Sequence, residues 1–165
     1  MQLAVEYRRQ SHPVDVIELL AANQDLEFQR NGDDEIAMTV AGLWTAYSVS
    51  FSWMEDIEAL HLGCAFDMKV PARCELEMLR LLARINEHLL VGHFDLWPSE
   101  GAIMFRHALV LSGGADPTSQ QAERLLAAAL ETCERYFQAF QFVVWADKSA
   151  EEAMACSLFE TVGNA

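Results

Sequence analysis

Apolar and polar positions recur along this chain with two periods, and the switches between them divide it into elements. Val14, Ile17 and Ala21, flanked by Val16 and Leu20, fall at helical spacing, while Asp15, Glu18 and Gln24 fall elsewhere. Ser11 or His12 is placed to cap this segment, and Pro13 suits the first helical position because its missing N–H would be unpaired there anyway. A short helix to about Asn23 is expected. The period then changes to two. Leu26 and Phe28, a turn at Asn31-Gly32-Asp33-Asp34, and Ile36, Met38 and Val40 read as a hairpin, because Asn and Gly both tolerate positive φ. Beyond Gly42, Tyr47, Val49, Phe51 and Trp53 alternate with Ser48, Ser50 and Ser52. A turn around Glu55-Asp56 leads to Leu60, Leu62, Cys64, Phe66 and Met68, again alternating with His61, Gly63, Ala65, Asp67 and Lys69. Four one-sided strands joined by short turns make an antiparallel meander whose apolar face needs a cover, and helices are the expected cover.

Pro71 opens the next segment, where Leu76, Leu79, Ile85 and Leu89 with Met78 and Leu82 predict a helix with a wide apolar stripe, ended by Gly92. A second hairpin runs from His93-Phe94-Asp95-Leu96-Trp97 through Pro98-Ser99-Glu100-Gly101 to a strand over 102–111 that extends or flanks the sheet. Asp116 or Thr118 caps a last long helix from about Pro117 to Trp145, bending near Tyr136 to Gln138, since Gln121 completes a capping box with Thr118. A terminal piece from Ser149 to Phe159 follows, capped by Ser149. Phe137, Phe140, Phe142, Val143, Val144 and Trp145 point in too many directions for one stripe and require shelter from the sheet, the terminal helix or another subunit. The fold class expected is α+β, an antiparallel sheet of a four-strand meander plus a hairpin, packed with helices.

Composition bounds the role. The 165 residues suit one domain spanning 1–165, with an ordered core over about 13–160, and 52% apolar residues suffice for a sizeable core. Eleven Lys and Arg against 25 Asp and Glu leave a net charge of −14, a field that repels phosphate backbones, so neither nucleic acid nor an anionic membrane is an expected partner. The longest apolar run, Leu125 to Leu130, is far short of the roughly 20 residues a bilayer demands, and no secretory leader is expected. Cys64, Cys74, Cys133 and Cys156 form no CxxC pair, which reads as reduced, mostly buried thiols in a cytoplasmic protein.

Catalytic signatures are missing: the chain has no GxSxG, GxxxxGK[ST], GxGxxG or HExxH. His88, His93, Asp95 and His107 are the best metal-like constellation, the hairpin bringing His93 and Asp95 toward His107. His107 shares a strand face with Phe105 and Leu109, however, so a satisfied structural histidine is the stronger reading and no metal ligand or cofactor is expected. Glu55 and Asp56 beside Trp53 read as a solvated turn. Arg106, among Met104, Ala108 and Val110, needs a carboxylate, for which Asp95 across the hairpin is the candidate. Exposed aromatics beside polar rims mark interfaces, so the candidate partner- or ligand-binding residues are Trp44, Trp53, His93, Asp95, Trp97, Arg106, His107, Phe142 and Trp145.

Five words carry a family resemblance: Gly32-Asp33-Asp34-Glu35-Ile36, Ser50-Phe51-Ser52-Trp53-Met54-Glu55-Asp56, Gly92-His93-Phe94-Asp95-Leu96-Trp97, Met104-Phe105-Arg106-His107 and Phe140-Gln141-Phe142-Val143-Val144-Trp145. Their order and spacing, from about Pro13 to Phe159, resemble the bacterial YbjN family, named for a role in sensory transduction regulation. The resemblance implies a fold similar to type III secretion chaperones, commonly dimeric, and carries no catalytic residues. It points to a non-enzymatic homodimeric adaptor or chaperone-like regulator that binds protein. The competing readings are a small-molecule sensor with its ligand between sheet and helices near His93, Arg106 and His107, and a hydrolase built on Asp95, His93 and His107.

Overall fold

A computed structural model describes residues 8–162, and among these the chain forms six strands and four α-helices. The helix α1 (Pro13–Asn23) begins where the Val14 N–H donates to Nδ1 of His12 at 3.2 Å, so His12 rather than Ser11 is its cap. It buries Val14, Ile17, Leu20 and Ala21, the stripe that the spacing predicts. The strands β1 (Glu27–Arg30), β2 (Glu35–Ala41), β3 (Ala46–Met54) and β4 (Ala59–Lys69) form the expected meander. Between β3 and β4 a 3₁₀ turn over Glu55–Ile57 ends at Glu58, which takes a left-handed φ of 47°. Glu58 is held there by Arg9 Nη2 at 2.9 Å and the Gly113 N–H at 3.1 Å.

The second hairpin, β5 (His93–Trp97) and β6 (Ala102–Val110), extends the sheet, and β6 inserts next to β4, giving the order β1-β2-β3-β4-β6-β5. Gly92 permits this: its φ of 71° and an added Cβ only 2.2 Å from the Phe105 ring leave room for no other residue where the chain enters β5. At β5, the outer edge, Asn86 of α2 (Glu75–His88) presents its carboxamide to Phe94, accepting the Phe94 N–H at 2.8 Å and donating to its carbonyl at 3.0 Å. A side-chain amide thus stands where a seventh strand's backbone would be.

All four helices lie on one side of the sheet. α1 packs on β1 to β3 and α2 on β5, while α3 (Ser119–Ala146) crosses β4 and β6 and α4 (Ala150–Val162) rests on α2 and α3. Thr118 caps α3 through the expected box with Gln121, whereas Asp116 accepts the Gln10 N–H, and α3 runs unbroken past Tyr136. Ser149 caps α4 in a reciprocal bond with Glu152, and α4 extends beyond Phe159 to Val162. Between sheet and helices, Phe140 stacks on Phe66 at 5.8 Å and meets Phe94 edge-on at 5.2 Å, with Phe105 and Tyr136 completing the aromatic centre. Most of the crowded end of α3 is therefore core: Phe137, Phe140, Val143 and Val144 are buried.

Two expectations about faces are overturned here. In α2 the buried stripe is Met78, Leu81, Leu82 and Ile85, which leaves Leu76 and Leu79 facing outward, because only one side of α2 meets β5 and α4. The space between sheet and helices, proposed for a small ligand, is filled by the side chains of one contiguous core.

Candidate functional site

With every helix on one side, the opposite face of the sheet stays uncovered. Strand register places the side chains there in rows that run across all six strands. One row reads Gln29, Ala37, Ser50, Gly63, Arg106 and His93; the next reads Glu27, Thr39, Ser48, Ala65, Met104 and Asp95. The three middle strands contribute only short side chains, and the strands outside them contribute long ones. The result is a trough of about 640 Å³, floored by Ala37, Thr39, Ser48, Ser50, Gly63 and Ala65 and walled by Glu27 and Gln29 on one side and Met104 on the other. Gly63 sets the depth next to the second wall, since a Cβ there would stand 3.3 Å from Met104 Sδ and 3.4 Å from Ser50 Oγ.

Beyond Met104 the wall continues as a polar chain. Arg106 donates from Nη1 to Asp95 Oδ2 at 2.9 Å, and from Nε to His61 Nε2 at 3.2 Å, while His93 Nε2 approaches the same Asp95 oxygen at 3.3 Å. The ion pair anticipated across the hairpin is present. Burial lowers the His61 pKa below the ordinary histidine value, and the nearby Arg106 and His93 add to the effect, in keeping with its acceptor role. Partly exposed, Arg106 and Asp95 form an ion pair in which the two charges cancel.

His107 does not belong to this group. It pairs with Leu62 across β6 and β4, on the helix side of the sheet, because adjacent strand residues face opposite ways. His88 ends α2, and among the described residues no three His, Cys, Asp or Glu side chains gather in a metal-binding arrangement. The Asp95, His93 and His107 triad of the hydrolase reading is not assembled.

The aromatic candidates separate in the same way. Trp53 is buried, its indole N–H donating to Glu55 Oε2 at 2.6 Å and its ring lying 4.5 Å below the Arg9 guanidinium, so it is a structural residue and not a surface anchor. Phe142 is half-buried against the core. Trp44 in the β2–β3 turn, Trp97 at the end of β5 and Trp145 in the last turn of α3 are exposed on three separate elements. Trp97 lies on the open face beside Ala102, on the same strand as His93 and Asp95, and with them and Arg106 it stands outside the residues that line the trough. The turn carrying Trp44 is pinned by Glu134, which accepts the Leu43 N–H at 2.8 Å.

Sequence reasoning missed the floor. Ser48, Ser50, Gly63 and Ala65 were legible as a polar face, and their common shortness was the signal. It also missed a smaller cleft of about 410 Å³ between α1 and the start of α3, lined by Val16, Leu19, Leu20 and Glu123. Of the stripe expected on α2, Leu76 and Leu79 are exposed instead, in line with the exposed Ala83, and Leu90 is fully exposed beyond the helix.

No curated protein matches the chain. Among solved structures it resembles YbjN from E. coli, described as "a putative transcription regulator", with a TM-score of 0.54 and 11% identity over 73% of this chain and 85% of that one. It resembles equally the ExsC–ExsE complex, with a TM-score of 0.54 and 19% identity over 75% of this chain and 92% of that one. These likenesses establish the fold as α+β of the type III secretion chaperone kind. Residues 13–142 match the family described as "Putative bacterial sensory transduction regulator", and the chain belongs to that YbjN family.

Proposed function

We propose that this protein is a non-enzymatic, cytoplasmic regulator that works as a homodimer by holding a segment of another protein in the trough on its open sheet face. One observation carries the reading: a continuous face across six strands whose middle is floored by short side chains and whose margins are walled. A solvated sheet face has no need of such relief, whereas a surface that receives a partner's side chains does. The likeness to ExsC, solved with its partner ExsE, supports the same reading. Self-association finds support in α2, whose Leu76, Leu79 and Ala83 recur at i, i+3 and i+7 on one exposed side.

Two measurements test this. Sedimentation equilibrium of the parent and of a Leu76→Glu, Leu79→Glu variant reads the dimer, which charge on the strip should dissociate; a parent that stays monomeric at micromolar concentration overturns it. Affinity capture from the host with the parent and with Ser48→Trp reads the trough. A protein retained by the parent and lost from the variant supports the proposal, and equal retention by both removes the open face from it.

A further inference from the structure

The open face carries an electrostatic sign. Its alternating positions hold Glu27, Glu35, Asp67 and Asp95 against Lys69 and Arg106. Asp95 and Arg106 cancel within their ion pair at 2.9 Å. What remains is acidic, and Glu27, the charged residue that lines the trough itself, stands on the wall opposite Met104. The whole chain, at −14, surrounds this face with a field of the same sign.

The dimensions narrow the occupant further. Four strand spacings separate the β1 wall from the β6 wall, about 19 Å at roughly 4.8 Å per spacing. An α-helix with its side chains is about 10–12 Å across and fits between the walls along the strand direction, while a single extended strand would leave most of the floor bare. Along β3 the floor of the trough is Ser48 and Ser50, and the same alternating face continues to Ala46 on one side and Ser52 on the other, about 20 Å in all, the length of a helix of about 14 residues. Ala37, Ser50, Gly63 and Ala65 are short enough for such a helix to approach the sheet closely.

Resting on the protein-binding reading above, we infer that the trough receives a cationic helical segment of the partner, its Lys or Arg side chains directed at Glu27 and Glu35 and its small or apolar side on the serine, alanine and glycine floor. Charge sets orientation and encounter rate here, and contact with the floor sets residence.

The test uses two synthetic helical peptides of about 14 residues, one of alanine with lysine at every fourth position and its glutamate counterpart, titrated into the full-length protein by fluorescence anisotropy. The lysine peptide should bind, and binding should weaken as the screening length shortens from about 10 Å at 0.1 M salt to about 3 Å at 1 M. Ser48→Trp fills the floor from an exposed position, and Thr39→Trp does so independently should the first variant misfold; each should weaken binding by about tenfold or more, or about 1.4 kcal/mol. A Glu27→Lys, Glu35→Lys variant should lose the lysine peptide and gain the glutamate one. Preference of the parent for the glutamate peptide overturns the sign assigned to the partner while leaving the protein-binding reading intact. Lysine-peptide binding that persists in both tryptophan variants overturns the site. If neither peptide binds while a natural partner is still lost from Ser48→Trp, the helical occupant is wrong and the open face is retained.

Discussion

Replacing Asn86 with alanine isolates the device that closes the β5 edge. The Asn86 carboxamide makes two bonds to Phe94, 2.8 Å from its N–H and 3.0 Å from its carbonyl, and Phe94 is only 2% exposed. Deleting the carboxamide leaves one donor and one acceptor beside a buried ring, and an orphaned buried polar group costs about 1–3 kcal/mol. With some water admitted to the gap, the expected loss is about 2–4 kcal/mol, well above the roughly 0.5 kcal/mol of an ordinary surface change. For a chain of this length that lowers the melting temperature by roughly 5–15 °C. Urea unfolding followed by circular dichroism reads the stability, and native-state hydrogen exchange reads the Phe94 amide, whose protection should fall more than that of amides in β2 or β3. Arg84→Ala, on the exposed side of the same helix, is the control and should change little. Because the freed groups form an unpaired strand edge, Asn86→Ala should also associate with itself as concentration rises. A variant within 0.5 kcal/mol of the parent, or unchanged protection at Phe94, would refute the view that this side chain substitutes for a strand.

Further outcomes follow from other parts of the fold. His61 is held below the ordinary histidine value by burial, Arg106 and His93, and His107 by burial and His93, so the unfolded chain binds more protons just below pH about 6.5. Stability should therefore be full above that pH and decline as pH falls toward the folded-state values, and His61→Gln should flatten the decline; an unchanged slope argues against the His61 contribution. Phe140→Ala removes a fully buried ring that touches both Phe66 and Phe94 and should cost about 3–5 kcal/mol by denaturant titration, a loss under 1.5 kcal/mol contradicting its central place. Thr118→Ala breaks the capping box of α3 and should cost about 1 kcal/mol, with an unshifted urea midpoint counting against the cap. Cys156 should react with Ellman's reagent in the native protein, while Cys64, Cys74 and Cys133 wait for unfolding; rapid labelling of all four would mean that the core is open.

Much of this fold is legible in the sequence because its signals are local. The Thr118–Gln121 box, the Asn31-Gly32 turn and the strict alternation of β3 and β4 each fix a backbone conformation within a few residues, and each element appears where these place it. What local pattern does not contain is the partner of each face. Leu76 and Leu79 have the spacing of core residues, and only the observation that α2 is covered by β5 and α4 on its other side shows that they are not. Trp53 has the composition of an interface anchor, and only Arg9, remote in sequence, shows that it is sealed. The position of β6 between β4 and β5 is likewise a matter of long-range pairing. His93, Asp95 and Arg106 group as expected because a two-strand hairpin is itself local, whereas His107, which shares a strand face with Phe105 and Leu109, lies on the other side of the sheet, as the alternation of a strand requires.

The same alternation separates stability from recognition in this molecule. On β3, Tyr47, Val49, Phe51 and Trp53 are all buried against the helices, and changes there carry the penalties of a packed core. One residue away, Ser48 is exposed and Ser50 and Ser52 are half-exposed, and none of the three takes part in that core. Exposed serines on an uncovered strand face can be exchanged at about 0.5 kcal/mol or less. A family of chains built this way can vary the floor and walls of its trough without altering the fold, and a partner can be gained or lost by substitutions that leave the unfolding transition in place. Loss of partner binding by Ser48→Trp at an unchanged melting temperature is the signature of that arrangement; loss of binding only in step with loss of stability would mean that the face has no role of its own.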